Sequence, residues 1–131
     1  MISLDTNVLV RYLTRDDEEQ WAIAHCLIQE QQPCLITNIA LCEMVWVLKG
    51  KAYGYSISEI LNAIEAMLQS PAFEFEHRSC VYQALQRTRS GKADFSDYLI
   101  GSVSQQLGAT VTVSFDQKLE SERGFEMLSD N

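Results

Sequence analysis

Long apolar runs are missing from this 131-residue sequence. None approaches the roughly 18–20 residues that span a bilayer. The start, MISLDTN, has no charged stretch ahead of an apolar one. We therefore expect neither secretion nor membrane insertion, and a cytoplasmic location. Basic residues are also scarce: ten Lys and Arg stand against eighteen Asp and Glu, a formal charge of −8. A charge of that size keeps a chain soluble and repels polyanions on average. It argues against the basic footprint of an ordinary nucleic-acid binder. The objection weakens if the acids gather around a metal, because bound cations invert the local charge.

Zinc and disulfide frameworks are lacking too. Cys26, Cys34, Cys42 and Cys80 form no CxxC pair and have no His at zinc-ligand spacing. Each has apolar neighbours (HCLI, PCLI, LCEM, SCVY), so buried free thiols are expected. His25 and His77 stand alone, and neither is assigned to catalysis. No internal repeat, linker or low-complexity tract interrupts the chain. What is present, 47% hydrophobic and 21% charged residues, suits one globular domain over residues 1–131, with Ser129 to Asn131 as a loose tail. A chain of this length buries roughly two-thirds of its unfolded surface and needs no covalent staples.

Met1 to Leu4 reads as a buried strand ending at Asp5-Thr6-Asn7, before the helical pattern Val8-Leu9-Tyr12-Leu13. Asp16 and Asp17 open a second helix, with Trp21, Ala24, Leu27 and Ile28 on one face, ended by Gln31-Gln32-Pro33. Cys34 to Ile36 is a short apolar strand, and Thr37 or Asn38 caps a helix running to Gly50. Ser56 and Glu59 make the capping box of the next helix, which Ser70-Pro71 ends. Phe73 to Phe75 is a strand nearer the edge, followed by a helix from about His77 to Thr88. Asp94 caps a helix that Gly108 ends. Thr110 to Phe115 is β-branched and expected to be a central strand. Asp116 starts a helical turn, and Phe125 to Leu128 forms a last strand. The alternation predicts an α/β domain: a parallel sheet of about five strands with helices on both faces.

In open parallel sheets, ligands bind beyond the carboxyl ends of the strands. Asp5 follows the first strand, Asp116 follows Thr110–Phe115, and Asp97 lies one turn into the helix that Asp94 caps. Glu43 falls inside the apolar stretch IALCEMVWVL, where burial on most sides is expected. A buried carboxylate must be neutral, paired or a metal ligand. Capping alone would account for Asp5, Asp94 and Asp116, and a buried ion pair for Glu43. Hard oxygen ligands without His or Cys suit Mg²⁺ or Mn²⁺. Such ions activate water and neutralise charge growing on phosphate oxygens. Thr6, Asn7 and Ser114 are placed to orient the ligands through hydrogen bonds. Three basic groups (Arg11 and Arg15; Lys49 and Lys51; Arg87, Arg89 and Lys92) are either solvated helix ends or contacts to a phosphate backbone.

MISLDTNVLVRYL, NIALCEMVWVL, GKADFSDYLIG and VTVSFDQKL together resemble the PIN-domain family, and within it the VapC toxins of toxin–antitoxin pairs. The resemblance covers almost the whole chain. It implies a Mg²⁺- or Mn²⁺-dependent endoribonuclease whose metal-binding, catalytic acids are Asp5, Glu43, Asp97 and Asp116. Asp94 matches the first acid of the DFSD motif, where capping or support of the ligands is expected; Thr6 and Ser114 match positions that steady the site. The resemblance also implies a homodimer inhibited by a cognate VapB-type antitoxin, possible hetero-oligomers with it, and DNA contact only through it. RNA, often transfer RNA, is the implied substrate. Two departures stand out: Tyr98 follows Asp97 where small residues are common, and Ser114 replaces the usual Thr. Tyr98 is expected to narrow the pocket or reshape RNA entry. The competing readings are a metal-dependent phosphatase and a non-enzymatic binding module on a similar α/β sandwich. A receiver-like domain lacks its paired acids after strand one, and a DxDxT phosphatase motif is broken by Asn7.

Overall fold

Helix starts follow capping chemistry, in which a short polar side chain satisfies a backbone N–H that the first turn leaves open. The computed structural model describes residues 1–129. Asp5 Oδ1 accepts the Thr6 N–H at 2.8 Å and opens α1 (Thr6–Thr14). Asp17 Oδ1 accepts from the Gln20 N–H at 3.0 Å at the start of α2 (Glu18–Gln31). Thr37 caps α3 (Asn38–Lys49) through the Ala40 N–H, and Ser56 with Glu59 forms the reciprocal box at α4 (Ile57–Gln69). Helices α5 (Arg78–Ser90) and α6 (Phe95–Gln106) follow, with Asp94 in the N-cap position of α6. The chain divides into two compact units, Met1–Arg78 and Ser79 onward.

In the first unit, β1 (Cys34–Ile36) runs parallel to β2 (Phe73–Phe75), with Cys34 opposite Phe73 and Ile36 opposite Phe75. Leu35 turns its backbone the other way: its N–H donates to the Ile2 carbonyl at 2.8 Å, and its carbonyl accepts from the Leu4 N–H at 3.0 Å. The N-terminal segment is thus a single parallel bridge at Ser3 rather than the expected strand. Helix α1 packs on α2 and α3, and α3 on α4. Leu9, Ile28, Leu41, Met44 and Ile64 are fully buried in this core. Phe73 and Phe75 are buried and Glu74 exposed, as the alternation FEF predicts.

In the second unit, β3 (Thr112–Ser114) runs parallel to β4 (Phe125–Met127), and a 3₁₀ turn (Gln117–Leu119) lies between them. Gly101 on α6 admits the Phe125 ring; a Cβ there would stand 2.6 Å from its Cζ. The expected central strand is short and open, with Val113 55% and Phe115 62% exposed. The expected sheet of about five strands is not shown: among the described residues, hydrogen bonding forms the β1–β2 and β3–β4 ladders and one bridge. What stands, among the described residues, is an α/β fold of six helices and short parallel strands. Of the expected loose tail, Ser129 is exposed, and Asp130 and Asn131 lie outside the described residues.

Candidate active site

Asp5, Thr6, Asn7 and Glu43 line one groove of about 440 Å³ in the first unit. The Asp5 carboxylate is fixed by the Thr6 N–H. The Thr6 hydroxyl donates to Glu43 Oε1 at 2.6 Å, so one residue positions both acids. Glu43 is exposed, which corrects the expectation of burial: it shares a solvent-facing stripe of α3 with Ile39 and Trp46. Neither Asp5 nor Glu43 has a cationic partner among the described residues. Arg11 lines the same groove but is committed elsewhere. Its guanidinium pairs with Asp16 at 2.8 Å and donates to Gln20 and to the Tyr53 hydroxyl, and Tyr53 donates in turn to Asp16. The Asp16 carboxyl is accordingly held below the ordinary range, first by the Tyr53 hydroxyl.

In the second unit the charges of Asp94 and Asp116 both act on Asp97. Asp97 Oδ2 accepts the Asp94 N–H at 3.1 Å, and Lys118 Nζ lies 3.6 Å from Asp94 Oδ2. Asp116 Oδ1 accepts the Lys118 N–H at 3.0 Å, so Asp116 caps the 3₁₀ turn as Asp5 caps α1. Ser114 accepts the Asp116 N–H on its hydroxyl at 3.0 Å and steadies the backbone there. Partial burial, reinforced by the charges of Asp94 and Asp116, pushes the Asp97 carboxyl up. Folding therefore favours its protonated form: stability falls as pH rises from the unfolded value through the raised folded one, and the penalty is complete above. Asp97→Asn keeps an acceptor for the Asp94 N–H and removes the charge. We expect it to melt higher than wild type at neutral pH without metal, with the gap closing under acid. A variant that melts lower would mean the carboxylate supports the fold.

The remaining candidates sit as follows. Arg15 pairs with Glu18 at 3.0 Å and lies over the Trp21 ring at 3.6 Å. Arg87 pairs with Glu122 at 3.2 Å. Lys49 and Arg89 also have partners, whereas Lys51 and Lys92 are simply exposed. Tyr98 is fully buried, its hydroxyl donating to Glu122 at 3.0 Å and accepting from the Ala93 N–H, so it does not narrow a pocket. Cys34 and Cys80 are buried, but Cys26 is exposed and Cys42 half-buried; all four are free. Sequence reading missed Trp46 and Tyr53, which line the groove with Asp5 and Glu43. The helical spacing of Glu43 and Trp46, three residues apart, was the available signal.

The donor chemistry fits a hard divalent cation: carboxylate oxygens, hydroxyls that orient them, and too few cations to neutralise them. Among the described residues, no three His, Cys, Asp or Glu side chains form a ready-made cage. Short parallel ladders with carboxylates at helix starts make this an α/β domain with acidic groups at the starts of its helices. The PIN-domain family profile matches residues 2–122, and the chain belongs to the PIN-domain family. PIN domains are generally nucleases, hydrolases of phosphodiester bonds. A comparison with curated proteins finds no match.

Proposed function

We propose that the chain is a Mg²⁺- or Mn²⁺-dependent, site-specific endoribonuclease and the toxin of a VapBC-type pair. It would cut structured RNA, transfer RNA foremost, to stop translation and growth. The observation that carries the metal-nuclease part is the Asp5–Thr6–Glu43 arrangement: two exposed carboxylates, held by one threonine, with the groove's arginine already neutralised. The motif resemblance supports the toxin part. On this reading the chain works in the cytoplasm as a homodimer, a VapB-type antitoxin silences it, and DNA is met only through that antitoxin.

Asp5 and Glu43 would hold the cation from the first unit, and the motif resemblance names Asp97 and Asp116 as ligands from the second. When bound, it supplies Lewis-acid stabilisation of the phosphate oxygens and lowers the pKa of water. Thr6 keeps Glu43 and Asp5 in place, and Ser114 does the same for the backbone at Asp116. A carboxylate among them accepts the proton as water attacks phosphorus and the P–O3′ bond breaks, and the departing 3′-oxygen takes up a proton from solvent. The products are a 5′-phosphate and a 3′-hydroxyl.

The test is purified protein, freed of antitoxin, with total RNA and Mg²⁺. We expect discrete fragments with 5′-phosphate ends, abolished by excess EDTA and restored by Mg²⁺. Cyclic 2′,3′-phosphate ends, or full activity in EDTA, would sink the mechanism.

A further inference from the structure

Trp46 is 78% exposed on α3 and has no ring or cation against it among the described residues. The other tryptophan shows what a structural indole looks like in this chain. Trp21 stacks on His25 with centroids 4.7 Å apart, lies under Arg15, and donates its Nε1–H to the Tyr12 carbonyl at 3.1 Å. Trp46 has none of this. It stands one turn beyond Glu43 and lines the same groove as Asp5, Thr6 and Glu43. Its neighbour across the turn at Gly50 adds no side chain to cover it.

A flat, solvated π-surface beside two carboxylates that would hold a cation against a phosphate suits a flat group attached to that phosphate. A nucleobase fits, because base–aromatic stacking tolerates any sequence. Bases inside a duplex are covered on both faces, so only an unpaired base can lie on an indole. A protein surface seated on Trp46 would also bury Glu43 beside it and would have to bring a Lys or Arg of its own to pair with that carboxylate. A nucleobase leaves Glu43 in contact with solvent or cation.

We infer that Trp46 is the stacking platform for an unpaired nucleobase flanking the scissile phosphate, and so restricts cleavage to unpaired segments of RNA. This rests on the ribonuclease reading given above. The residue sets specificity rather than taking part in bond breaking.

The sequence holds two tryptophans, so Trp21→Phe leaves Trp46 as the sole indole emitter. In that background, with Mg²⁺, stopped-flow mixing with an unpaired RNA octamer is expected to quench Trp46 fluorescence within the first turnover. The same octamer annealed to its complement is expected not to. Trp46→Ala in the otherwise native chain is expected to raise KM on unpaired RNA about tenfold, with kcat little changed and Trp46→Tyr close to wild type. Cleavage by wild type with an unchanged KM for Trp46→Ala, or equal quenching by the duplex, overturns the stacking role and leaves the ribonuclease reading intact. Quenching by the octamer, with wild type cleaving neither the octamer nor total RNA, rejects the ribonuclease and retains base binding. If light scattering shows that Trp46→Ala alone turns a dimer into a monomer while KM holds, Trp46 belongs to a protein interface and the inference falls.

Discussion

On the ribonuclease reading, Asp5→Asn is expected to lose at least about 100-fold in RNA cleavage and to melt within about 3 °C of wild type. The two halves of that expectation have separate causes. Asp5 does two jobs: its Oδ1 caps α1 through the Thr6 N–H, and its charge lies in a groove with Glu43. Asn and Asp are about equally good N-caps. The amide oxygen takes over the Thr6 N–H, so the fold keeps its first helix, while a neutral amide holds a hard dication far more weakly than a carboxylate does. Asp5→Ala would lose the same activity and about 1 kcal/mol of stability besides, because the cap goes with the charge. Initial rates on RNA beside thermal melts of all three proteins make the check. If Asp5→Asn cleaves at the wild-type rate, Asp5 is a helix cap alone and the metal reading must move to the second unit.

Capping was readable in the sequence because it is local. Asp5, Asp94 and Asp116 all cap, and Ser56–Glu59 forms its box, each decided within three residues of chain. Glu43 was misread for the opposite reason. IALCEMVWVL looks apolar all round, but the helical period puts Leu41, Met44, Val45 and Leu48 inside and leaves Ile39, Glu43 and Trp46 in solvent. Composition alone does not say which third of an apolar helix faces outward. Strand pairing is less local still. Thr110–Phe115 carries the strongest β-branched signal, yet only Thr112–Ser114 is paired, because extent depends on a partner that the run itself does not encode. Tyr98 shows the same limit: its place beside Asp97 suggested a groove residue, and Glu122, far along the chain, makes it a buried one.

That burial leads to the largest stability effect expected here, at Gly91→Ala. A methyl group on Gly91 would overlap the Tyr98 hydroxyl and stand 2.8 Å from Tyr98 Cζ and 2.9 Å from the Arg87 carbonyl oxygen. The carbonyl belongs to α5 and has no room to swing, so Tyr98 must give way. Tyr98 is fully buried, its hydroxyl shared between the Ala93 N–H and Glu122. Glu122 pairs with Arg87, whose guanidinium lies over the Tyr98 ring at 5.0 Å. Displacing the ring breaks both hydrogen bonds and loosens that ion pair, a cost of about 2–4 kcal/mol. Gly54→Ala supplies the comparison: its φ is +63° and nothing lies within 4 Å, so it pays only backbone strain, about 1 kcal/mol. Tyr98→Phe removes the hydroxyl that the methyl group would strike. Gly91→Ala should therefore cost less in that background, with a coupling of about 1–2 kcal/mol in urea melts of the four proteins. Strict additivity would place the strain at the Arg87 carbonyl instead. Because Asp97 precedes Tyr98 in the first turn of α6, the same substitution is expected to slow RNA cleavage at temperatures where the variant is still folded, an effect that Gly54→Ala lacks.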